Sequence, residues 1–271
     1  MRTIFRRHIA LPQDHGSWVF LFSPLAIGLA AGQHFAPASL PAILGAIAAF
    51  LLRQPITILI KIYTGRRSRS EQNAAIFWMS LYSLIGLLSL LVLLYLGFGF
   101  ILLLGIPAVL IFACHLYLVS KRAERGQIVI ELLATAALAL VSPAAYWAAI
   151  AHYNPIGWWL WLLTGLQSAG SIVYVYLRLA QREWTIIPPK RDRFKAGVNA
   201  FGLTLFHLTL SLVLAMLGFI PNLIFLPYLL QFAETTWGIF NPASGVKPVT
   251  IGMRQLAVST LFTLLFIFIW R

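Results

Sequence analysis

The chain is poor in everything that keeps a protein in water. Only 7 of its 271 residues are acidic, and charged residues of both signs make up 10%. A soluble domain carries roughly a quarter charged residues. With 60% hydrophobic residues and a mean hydropathy of +0.86, there is too little polar surface to face water all round. No long polar block interrupts the sequence, so residues 1–271 read as a single transmembrane domain. Cysteine occurs once, at Cys114. That excludes an intrachain disulfide and the CxxC type of metal site. Its neighbours Phe112 and Leu116 suggest a packed thiol. No Walker loop, GxGxxG, GxSxG or HExxH occurs. The histidines sit at unmatched depths, so no facing pair of haem ligands emerges, and no cofactor is expected.

Negative charge is scarce but positive charge is not: the net charge is +13. No aromatic-and-basic nucleic-acid module accompanies it, so nucleic acid is not an expected partner. In a membrane protein, Lys and Arg collect in cytoplasmic loops and fix orientation. Nine apolar blocks are long enough to be read as spans, at 17–35, 39–62, 73–96, 100–120, 127–150, 156–178, 197–217, 221–240 and 252–270. The loops after blocks two, four, six and eight hold the basic residues, from Arg66, Arg67 and Arg69 to Lys247 and Arg254. The alternate loops hold no Lys or Arg. The expectation is an all-α polytopic membrane protein of nine transmembrane helices, N-terminus cytoplasmic and C-terminus outside. The opening "MRTIFRRHIALPQDHGSW" has a basic start like a signal peptide. Pro12 to Gly16 separate it from the apolar run, which reads as a retained first span. Trp147, Trp158, Trp159, Trp161 and Trp270 fall where interfacial anchors belong at the outer side.

Ionisable groups at membrane depth cost a few kcal/mol each and usually face protein or a water-filled cavity. Arg53 lies eight residues, about 12 Å, deeper than Lys61. Pro55 beside it lacks an N–H and crowds the carbonyl of Leu51, which suggests a broken helix at a cavity. Gln167, Ser171, Tyr174 and Arg178 share one helical face. That stripe reads as a ligand-facing surface or as a hydrogen-bonded seam between helices. Glu131, His207, Gln231, Glu234 and His15 join Arg53, Arg178 and Tyr174 as candidate ligand-binding residues. Glu131 and Glu234 are expected to pair with Arg53, Arg178 or Arg254. All seven acids fall in the cytoplasmic half, so a site would open inward, on the side of the basic loops.

"LPQDHGSWVFLFSPLAIGLAAG" resembles the opening of the YwiC-like family of bacterial integral membrane proteins, which begins with Pro-x-x-Glu-His-Gly-Ala-Trp. Pro12, Asp14, His15, Gly16 and Trp18 match, with Asp for Glu and Ser17 for Ala. That resemblance implies a multi-pass protein of the bacterial plasma membrane. A weaker likeness is to UbiA-type prenyltransferases, which have nine helices, a cytoplasmic site and two aspartate-rich magnesium motifs. The matching places here are rich in Arg and Lys instead. Direct clamping of an anion by arginine is the chemistry this would imply. Beyond the bilayer itself, the expected partner is an anionic lipid or a small anion in a basic, cytoplasm-facing pocket. A UbiA-like membrane enzyme, a small-anion transporter and a non-catalytic assembly partner all fit these residues.

Overall fold

The computed structural model describes residues 5–12, 15–122 and 127–271, apart from the side chain of His15. Among them there is no strand. Eleven helices follow in order: α1 (Arg7–Ala10), α2 (His15–Gly32), α3 (Ser39–Tyr63), α4 (Gln72–Tyr95), α5 (Ile101–Ser120), α6 (Ile128–Ala139), α7 (Val141–Ile150), α8 (Ile156–Arg182), α9 (Lys190–Met216), α10 (Phe225–Phe240) and α11 (Pro248–Trp270). A 3₁₀ turn, Arg69–Glu71, leads into α4.

Seven of the nine expected spans form helices long and apolar enough to cross a membrane. The other two blocks form the shorter α2 and α10. The block at 127–150 makes one such length, Ile128–Ile150, from two helices. Its break at Leu140 has a local cause. Pro143 has no N–H, and its ring crowds the carbonyl of Ala139.

Close packing in lipid relies on small residues. Helix α2 crosses α7 through Gly28 and Gly32. A Cβ at Gly28 would lie 2.2 Å from the Ser142 carbonyl oxygen, and one at Gly32 would lie 2.5 Å from Ala149 Cβ. Gly28→Leu would force these backbones apart. We expect it to destabilise the purified protein by about 3 kcal/mol, read as a lower melting temperature. An equal melting temperature would show that the crossing tolerates a side chain.

Two local expectations are corrected. Pro55 does not break α3, which runs unbroken from Ser39 to Tyr63. The Thr57 hydroxyl donates to the Arg53 carbonyl at 2.8 Å, and the Gln54 amide reaches out of the helix to the His8 carbonyl at 2.9 Å. The polar "RQP" stretch therefore ties α1 to α3 and leaves the helix intact. Cys114 is exposed on α5, whose apolar face packs little against the bundle.

The main core lies away from the basic loops. Trp147, Leu160, Leu163, Tyr228, Phe262 and Phe266 are buried together there. Trp147 is a pillar of that core, with its indole N–H on the Asn154 carbonyl at 2.6 Å, and not an interfacial anchor. Trp158 is exposed, as an anchor would be. At the basic end, Glu71 gathers Arg67 at 2.8 Å and His8 at 3.0 Å, which pins α1 against the α3–α4 pair.

Candidate functional site

At the basic end the bundle is hollow in two places, and α8 and α11 stand between them. Helix α8 makes this division through its periodicity. Ile172, Val175, Tyr176 and Leu179 line the larger cavity, while Tyr174 and Arg178 line the smaller. Helix α11 divides the same way. Met253, Gln255 and Ser259 face the larger cavity, Thr250 and Arg254 face the smaller, and Ile251 borders both.

The larger cavity, about 920 Å³, is a vestibule between α2, α3, α5, α6, α8 and α11. It runs from the start of α11 at Pro248 to Ser259. The 11 helical steps between them make a depth of about 16 Å. Its walls are mostly apolar, with Arg53, Lys61, His115 and Glu131 among them. Glu131 accepts a hydrogen bond from the Tyr176 hydroxyl at 2.8 Å. Among the described residues, Arg53, Lys61 and Glu131 are the charged side chains of its lining. The floor is a polar cluster. The Gln255 amide donates to Ser171 Oγ at 2.8 Å, and the Gln167 amide donates to Ser171 Oγ and Ser259 Oγ, both at 3.2 Å.

The polar stripe of α8 is a seam with α10, formed rung by rung. The Tyr228 hydroxyl donates to the Leu163 carbonyl at 2.7 Å, and the Gln231 amide to the Gln167 carbonyl at 2.9 Å. The Tyr174 hydroxyl donates to Glu234 at 2.8 Å. The last rung is Arg178. Its Nη1 donates to the carbonyls of Gly238 at 2.7 Å and Asn241 at 2.6 Å, and to Gln181 Oε1 at 2.9 Å. The final carbonyls of a helix lack intrahelical donors, and a cation there is favoured. Arg178 supplies both needs, which is why a seam in this bundle ends in a guanidinium.

Beyond that last rung lies the smaller cavity, about 480 Å³, lined by Tyr174, Arg178, Arg193, Trp237, Asn241 and Arg254 among others. Arg193 Nη1 donates to the Phe240 carbonyl at 2.9 Å, and its Nε to the Pro188 carbonyl at 2.6 Å. Arg254 grips Glu234 with two bonds, 2.6 and 2.9 Å, and its guanidinium lies 3.6 Å from the centroid of the Trp237 ring.

The eight residues expected to share one pocket are thus divided. Arg53 and Glu131 line the vestibule; Arg178 and Tyr174 line the smaller cavity. Glu234 stands beside the smaller cavity and pairs with Arg254, as expected of it. Gln231 is buried in the seam, and His207 is buried on α9 and lines neither cavity. His15 begins α2, and its side chain is outside the described residues, as is Asp14. Nothing in the sequence singles out Arg193 or Trp237. Both lie near block ends and read there as orientation charge and interfacial ring. Helix α9 begins at Lys190, ahead of its apolar block, and that extension carries Arg193 to the end of α10. Among the described residues, no three His, Cys, Asp or Glu side chains cluster where a metal ion could sit.

A family model described as YwiC-like protein matches residues 11–146, half of the chain, and the chain belongs to that family. No curated protein and no solved structure matches. The matched half contains Arg53 and Glu131 of the vestibule. The arginines of the smaller cavity lie beyond it.

Proposed function

We propose that this YwiC-like protein receives an anionic amphiphile, a lipid or isoprenoid with one charged head, in the vestibule. One observation carries the reading: a cavity of about 920 Å³ with mostly apolar walls places Arg53 inside an apolar bundle. Ligand cavities commonly measure about 300–1,000 Å³, with a few polar groups set among apolar walls. Arg53 lies ten residues, about 15 Å, from the end of α3 at Tyr63. A guanidinium at that depth has the planar fork that suits a carboxylate or phosphate. Val175, Leu179, Met253 and Leu256 offer the apolar surface that a chain would cover.

The same reading makes α2 and α10 crossings, for nine in all. Their lengths are about 27 and 24 Å, short of a hydrocarbon core of about 30 Å. Local thinning of the bilayer accommodates such a mismatch. The alternation of basic and uncharged loops supports a cytoplasmic N-terminus in a bacterial plasma membrane. Both cavities then open toward the cytoplasm. The reading assigns binding and no chemical step.

Native mass spectrometry of the protein extracted in a neutral detergent tests it. The protein is expected to retain an anionic amphiphile that Arg53→Gln retains at least tenfold less, with both proteins equally folded by circular dichroism. Equal retention by both, or none by either, rejects the reading.

A further inference from the structure

We infer that the smaller cavity is a separate oxyanion site, built to take a phosphate group from the aqueous side. Its three arginines do not share a compensating acid each. Among the described residues, Arg178 and Arg193 donate to neutral oxygens, carbonyls and one amide. Glu234 forms its ion pair with Arg254 and accepts the Tyr174 hydroxyl besides. Among the described residues, three guanidinium groups against one carboxylate leave two positive charges in excess, and no carboxylate lines the cavity itself.

Hydrogen-bonding capacity is left over as well. Arg178 spends Nη1, Arg193 spends Nε and Nη1, and Arg254 spends Nε and Nη2. Each guanidinium therefore keeps N–H donors that no described residue accepts, around one cavity. The groups are also held in place. Carbonyls of the α10 end fix Arg178 and Arg193, Glu234 fixes Arg254 in a fork, and the Trp237 ring lies against Arg254. Guanidinium groups immobilised before the ligand arrives lose little entropy on binding it. A dianionic oxyanion matches both the charge excess and the fork geometry. A chloride ion matches the charge less well and the donor geometry hardly at all.

This site is independent of the vestibule, because α8 and α11 separate the two and the ligands differ. The phosphate could be a free ion or the headgroup of a phospholipid. The test uses the full chain with inorganic phosphate as probe. Melting temperature in neutral detergent is followed against phosphate, with chloride at matched ionic strength as reference. Phosphate is expected to raise the melting temperature and chloride to leave it lower. Arg193→Gln is expected to weaken the phosphate response at least tenfold in midpoint concentration. Arg191→Gln, two residues earlier on α9 and outside the cavity lining, is expected to keep it. Nanodiscs separate the sources. A phosphate response lost in phosphatidylglycerol but kept in phosphatidylcholine identifies a lipid headgroup as the occupant, and a response kept in both identifies the free ion. A response equal to that of chloride, or one that Arg193→Gln and Arg191→Gln share equally, overturns the site.

Discussion

Arg178→Leu is expected to lower the melting temperature by about 10 °C, the largest loss for any single change at the basic end. The side chain is 6% exposed and satisfies three oxygens at once. Leucine cannot donate to any of them. The Gly238 carbonyl keeps a bond from the Gln181 amide at 3.1 Å, and the carbonyl of the exposed Asn241 turns to water. The loss is that of bonds from a charged donor, worth about 1.5–3 kcal/mol each. A total near 4 kcal/mol corresponds to about 10 °C in a chain of this size. Arg178→Lys separates charge from geometry. It retains the cation at the end of α10 but has no planar fork to span Gly238 and Asn241. It is expected to recover less than half of the loss. Full recovery would mean that charge alone holds this end together.

Gly238→Ala is expected to be nearly as damaging, for a steric reason. A Cβ there would lie 2.3 Å from the Tyr174 hydroxyl oxygen and 2.6 Å from its ring carbon Cε2. Tyr174 cannot swing aside easily. It is buried, its hydroxyl is tied to Glu234, and its ring packs in the cluster of Leu177, Ala200 and Ile239. Overpacking of this kind costs about 1–3 kcal/mol. Residues in contact do not add, so the double change offers a control. Tyr174→Ala alone leaves a hole and lowers stability. Combined with Gly238→Ala, it is expected to lose clearly less than the sum of the two single losses. Additive losses would place the alanine methyl somewhere other than against Tyr174.

These two residues also show what the sequence could tell. The stripe Gln167, Ser171, Tyr174 and Arg178 is visible at helical spacing, and so is the burial it implies. Its partner is not visible. Pairing with α10 needs three-dimensional knowledge of which helices meet, and spacing along one chain carries none. The charge alternation finds which ends are basic, because that pattern is set residue by residue in the loops. It cannot divide one end into two compartments. That division follows from which faces of α8 and α11 look each way, and Arg53 and Arg178 fall on opposite sides of it. Pro55 misled for a related reason. A proline removes one backbone bond, but Thr57 and the neighbouring turns hold α3 together around it. Gly28 and Gly32 carry no mark in the sequence that sets them apart from the other glycines, and only the structure names α7 as what they admit.

The proposed function requires a water-filled vestibule that opens to the cytoplasm and reaches the middle of the bundle. Cysteine accessibility tests that directly. With Cys114 replaced by serine, a cysteine at Ala134, on the α6 wall of the vestibule, is exposed to a charged, membrane-impermeant thiol reagent. In inside-out vesicles it is expected to be modified rapidly, and in right-side-out vesicles it is expected to be spared. Modification only in right-side-out vesicles, or in neither, would contradict the vestibule and the orientation on which the functional reading stands.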